Sequence, residues 1–69
     1  METTLAPHQE RVVTEHAELS EKLGKLETFL GSSICQQLPT AEKARLSRQC
    51  LIMQLYQQVL VERIEAFPA

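Results

Sequence analysis

The chain has 69 residues, a formal net charge of −2, 43% hydrophobic residues and three aromatics, two Phe and one Tyr. A chain this short buries only about 60% of the surface its unfolded form exposes, so one small domain is the ceiling, stabilised by disulfides, a metal, a partner subunit or very regular helix packing. Two cysteines without CxxC spacing exclude a disulfide framework and a zinc or redox motif, and no run of 18 apolar residues offers a membrane span.

No basic n-region followed by an apolar core marks a secretory signal, so the expected setting is the cytosol, with reduced thiols. Helix packing and oligomerisation remain as the means of stability. Residues 1–6 read as a short flexible head, and Pro7, Gly31, Pro39 and Pro68 punctuate the rest of the chain.

Helix one is expected over residues 7–30. Pro7 suits the first turn, where its missing N–H has no helical partner to lose, and Thr4 or Ala6 supplies the cap. Val12, His16, Leu19, Leu23, Leu26 and Leu30 recur at alternating steps of four and three, the rhythm of a helix packed at a shallow angle. Gly24 interrupts this stretch and predicts a close packing contact or a slight kink, since glycine there costs roughly 1 kcal/mol relative to alanine. Gly31 fits the left-handed position that ends a helix.

Residues 31–39 form the connector. Ser33 to Gln36 reads as a capping box, with Ser33 as N-cap and Gln36 at N3, and that turn is expected to tuck Ile34 and Leu38 under the hairpin. Helix two occupies residues 40–67, with Thr40 as N-cap and Glu42 complementing the helix dipole. A connector this short makes the two rods antiparallel neighbours.

Helix two carries two apolar stripes roughly 120° apart on a wheel of 100° per residue. One holds Leu46, Cys50, Met53, Leu60, Ile64 and Phe67; the other holds Leu51, Ile52, Leu55 and Val59. One stripe packs on helix one. The second needs another partner, most simply a further copy of the chain, because apolar patches of this size rarely stay wet. The fold class is therefore all-α: an antiparallel hairpin of two long helices with a short helical connector, assembling into an oligomer.

Chemistry-bearing residues are few. Without an aspartate, one chain cannot assemble a Ser-His-Asp set, and the glutamates of helix one fall where a solvated face is expected. His8 and His16 are eight apart, not at the i, i+4 spacing of a metal pair on one helix face. His16 stands in the apolar rhythm, where a hydrogen-bonded core or interface histidine is expected rather than a ligand. Cys35 and Cys50 read as packed thiols, and neither glycine has the company of a phosphate loop. No enzyme activity, metal or cofactor is expected.

The cations say more. Arg11, Lys22 and Lys25 lie on one flank of helix one, continued by Phe29, while Lys43, Arg45 and Arg48 crowd the start of helix two and Arg63 stands near its end. Individually they read as solubilising residues and partners of nearby glutamates; together they allow an anion site formed when subunits bring two flanks together. A net charge of −2 argues against duplex nucleic acid, whose affinity comes mainly from phosphate neutralisation. That charge is compatible with a small phosphorylated ligand.

Read together, Arg11-Val12-x-x-Glu15-x-x-Glu18-Leu19-x-x-Lys22-x-x-Lys25-Leu26-x-x-Phe29, then Leu38-Pro39, then Gln49-x-x-x-Met53-x-x-Tyr56-x-x-x-Leu60-x-x-Arg63-Ile64 resemble a known family. It is the family of small helical phage proteins that counter the CBASS antiviral defence by sequestering its cyclic oligonucleotide signals, and the resemblance spans residues 8–64. It implies a hexamer with ligand pockets between subunits, binding cyclic dinucleotides and in some members cyclic trinucleotides. The nucleotide is held intact, as by a sponge, in the cytoplasm of the infected bacterial host.

Matched segment by segment, the resemblance puts forward His8 and Arg11, Lys22 or Lys25, and Arg63 as ligand-binding residues. Guanidinium and ammonium groups suit phosphate oxygens, Arg as a planar fork and Lys as a point charge. An aromatic is expected near the start of the first helix, to stack on a base; Pro7-His8 stands there instead. A reading from another class is a small oligomeric adaptor or structural protein whose apolar stripe docks a host or phage polypeptide.

Overall fold

The computed structural model describes residues 5–68, and three helices account for most of them: α1 (Pro7–Leu30), α2 (Ser33–Gln36) and α3 (Thr40–Glu65). Residues 1–4, most of the expected head, lie outside the described residues. The architecture is the expected all-α hairpin: α1 and α3 pack against each other and α2 turns the chain between them. Two cross-limb hydrogen bonds show the antiparallel sense: Gln57 Nε2 donates to Ser20 Oγ at 2.8 Å and Gln54 Nε2 to Glu27 Oε2 at 3.2 Å. The result is a rod of 52 × 17 × 15 Å, one hairpin thick.

Pro7 occupies the first turn of α1, and Ala6 precedes it as N-cap. An alanine side chain cannot cap, and Gln9 compensates by reaching back, its Oε1 accepting from the Ala6 N–H at 2.8 Å. At the other end Gly31 is not left-handed: its φ is −86° and its ψ 0°, and its N–H bonds the Thr28 carbonyl at 3.2 Å. The reason lies one residue on. Ser32 Oγ donates to the Phe29 carbonyl at 2.6 Å and accepts from the Cys35 N–H at 3.2 Å, so one side chain closes α1 and opens α2.

That double role corrects the cap of α2 from Ser33 to Ser32. The shift by one residue also changes which side chain turns inward. Cys35 is buried, Leu38 half-buried, and Ile34 is 64% exposed rather than tucked under the hairpin. At the start of α3 the N-cap is Pro39 and Thr40 is already helical; the Pro39 carbonyl accepts from the N–H groups of Glu42 and Lys43 at 3.0 Å each. The helix stops at Glu65, two residues short of the expected Phe67. Pro68 accounts for this, because the residue before a proline is pushed out of the α region.

The core is a single seam. Val12, Leu19 and Leu60 are buried together, with Met53, Ile64 and Phe67 packed against them; Leu60 is completely buried. Nearer the connector, Leu23, Cys35 and Cys50 are buried as well. Gly24, expected at a close contact, has no neighbour within 4 Å of where a Cβ would stand, and α1 runs unbroken through it. The second stripe of α3 faces away from α1: Leu51, Ile52, Leu55 and Val59 are each half or more exposed.

Candidate functional site

The α1 flank carries a shallow open hollow of about 420 Å³, lined by Pro7, Glu10, Arg11, Thr14, Glu15 and Glu18. Every lining residue belongs to α1, since positions three and four apart fall on one side of a helix. The hollow therefore has a floor and no facing wall within the chain. Its charge is mixed, one guanidinium against three carboxylates, so a single chain does not offer an anion a net positive field there. The three glutamates, read from the sequence as a solvated face, are what the hollow adds to the expected residues.

The five sequence-predicted residues do not converge in one chain. Arg11 lines the hollow, whereas His8, on the first turn of α1, and Arg63, on the last turn of α3, are exposed outside it. His8, Arg11 and Arg63 share one end of the rod, because the hairpin is antiparallel and the start of α1 and the end of α3 meet in one core cluster that holds Val12, Leu60 and Ile64. Lys22 lies eleven residues beyond Arg11, about 16 Å along the helix at 1.5 Å per residue, too far for both to grip one phosphate. Lys25 is exposed and pairs with Glu21 at 3.2 Å. Among the described residues Arg11, Lys22 and Arg63 make no ion pair.

Tyr56 was not marked as a site residue by its sequence position. It is 41% exposed and lies seven residues before Arg63, two turns earlier on the same side of α3. A ring and a guanidinium about 10 Å apart on one helix face can meet a base and a phosphate of one ligand. The signal was available as the Tyr56…Arg63 spacing, but only the exposure of both residues gives it meaning.

His16 is half-buried, and its ring makes no hydrogen bond among the described residues. No group of three His, Cys or Glu side chains among the described residues is placed to hold a metal ion. Both thiols are free and buried. No described helix is long and apolar enough to cross a membrane.

Comparison with known proteins gives one result. The model of the Sequestin family matches residues 6–66, nearly the whole described chain, and the chain belongs to that family. No curated protein and no solved structure matches it.

Proposed function

We propose that this Sequestin-family chain binds cyclic oligonucleotide signals of the CBASS defence and holds them intact, so that the defence effectors are never switched on. The family name itself denotes sequestering, which supports a binding role over a catalytic one. The ligands are cyclic dinucleotides, with cyclic trinucleotides as a second class. The working form is an assembly of six subunits in the cytoplasm of an infected bacterial cell.

The observation that carries this reading is the one-sidedness of the α1 hollow. A site with a floor and no wall is completed by another surface, and a second subunit is the simplest source. Cations from a neighbour offset the three carboxylates around Arg11. Arg11, Lys22, Lys25 and Arg63 then act as phosphate donors from separate subunits, where charge-assisted bonds are stronger than neutral ones. His8 packs at the mouth, and Tyr56 supplies the stacking ring that the start of α1 lacks.

Calorimetry with a panel of cyclic di- and trinucleotides tests the reading. Heat is expected with at least one of them, and Lys22→Ala, Lys25→Ala and Arg63→Ala should each weaken binding by about 1.5–3 kcal/mol. Nucleotide recovered unchanged from the denatured complex separates sequestration from hydrolysis. Absence of heat with every ligand in the panel overturns the proposal.

A further inference from the structure

We propose that α3 packs against α3 of a second copy in antiparallel sense, about a two-fold axis passing beside Leu55. The inference rests on the oligomeric part of the reading above and is independent of the ligand.

The face of α3 turned away from α1 is self-complementary when reversed. Four residues to either side of Leu55 stand Leu51 and Val59, both half or more exposed. Seven residues to either side stand Arg48 and Glu62, and eleven to either side stand Ala44 and Ala66, all exposed. At 100° per residue the six of these positions within α3 fall in an arc of about 80°, and Ala66 follows as the C-cap of the helix. Laying the helix on a reversed copy therefore sets apolar on apolar, cation on anion and small on small, while Leu55 meets its own equivalent. At 1.5 Å per residue the Arg48–Glu62 pairs stand about 10 Å on either side of the axis.

A parallel pairing of the same face sets Arg48 on Arg48 and Glu62 on Glu62, so the charges select the antiparallel one. Among the described residues neither Arg48 nor Glu62 has an ion-pair partner in its own chain, in contrast to Arg45, which pairs with Glu42 at 2.9 Å. The polarity extends along the helix: Lys43, Arg45 and Arg48 lie in its first third, and Glu62 and Glu65 flank Arg63 at its end. A contact of this kind is isologous, the same patch serving both subunits. It leaves the α1 flank uncovered, so further copies can wall the hollow, and a six-subunit assembly accommodates three such pairs.

Charge reversal with light scattering tests the seam. Arg48→Glu and Glu62→Arg each place like charges at both ends of the contact, and each should weaken pairing about tenfold or more at low salt. The double variant Arg48→Glu/Glu62→Arg restores both pairs and should associate like the wild type. Arg48 and Glu62 are both exposed, and retained helical circular dichroism confirms the fold. Leu55→Cys gives a measure independent of charge: mild oxidation should yield a covalent dimer, because the position faces its own copy. An oligomer indifferent to both single reversals, or no Leu55→Cys dimer, overturns the seam and leaves the oligomeric reading standing. A monomeric wild type overturns both, and none of these results depends on nucleotide binding.

Discussion

Gly24 has open space where a Cβ would stand, in the middle of an unbroken helix. Beyond the helix ladder Thr28 Oγ1 donates to the Gly24 carbonyl at 3.0 Å, a bond that a methyl group leaves intact. Within one hairpin, glycine there costs backbone entropy with no contact in return. Gly24→Ala should therefore stabilise the chain by about 1 kcal/mol, a rise of about 4–8 °C in a domain of this size. Thermal melts followed by circular dichroism check it, and an unchanged or lowered midpoint means that the space is filled by another subunit. Leu60 is the opposite case. It is completely buried, so Leu60→Ala should cost about 2–5 kcal/mol in the same melts. The sequence marks Gly24 as special and Leu60 only as one member of an apolar stripe, and neither the emptiness around one nor the enclosure of the other is a property of its neighbours along the chain.

The two long helices were legible because burial on a helix demands a repeat of three and four, and Val12, Leu19, Leu23, Cys50 and Leu60 obey it. Local boundaries were harder. Ser32 and Ser33 have the same capping chemistry, and what selects Ser32 is where the chain leaves α1, through its bond to the Phe29 carbonyl. The axial register of the hairpin was not legible at all. It is marked by Ser20 and Gln57, polar residues 37 apart whose hydrogen bond of 2.8 Å is partly buried between the limbs. Apolar seams tolerate sliding better than a directional bond does. A double-mutant cycle on Ser20→Ala and Gln57→Ala, read by urea denaturation, should return a coupling of about 0.5–1.5 kcal/mol. Additivity within about 0.3–0.5 kcal/mol means that this contact does not set the register.

At the scale of the whole molecule the candidate site was legible only as residue types. Cations on one flank of α1 can be read from spacing, but Arg11 and Lys22 are about 16 Å apart along the helix, Lys25 is paired with Glu21, and the hollow beside Arg11 is lined by three glutamates. Under the proposed function these groups meet one ligand only through a relation between subunits, which no periodicity in one chain encodes. The proposed association bears on stability as well. A rod 17 Å across, with six buried apolar side chains among the described residues, is marginal alone, and association that binds only the folded form makes the melting midpoint depend on concentration. Melts at about 1 μM and about 100 μM should differ by several degrees, the dilute sample melting first. A cyclic dinucleotide at about 100 times its Kd should add about 2.7 kcal/mol per site, and if it bridges subunits it should also lessen the loss on dilution. A midpoint that ignores protein concentration, with or without nucleotide, means that the hairpin folds by itself and that the hollow on α1 is completed by something other than its own kind.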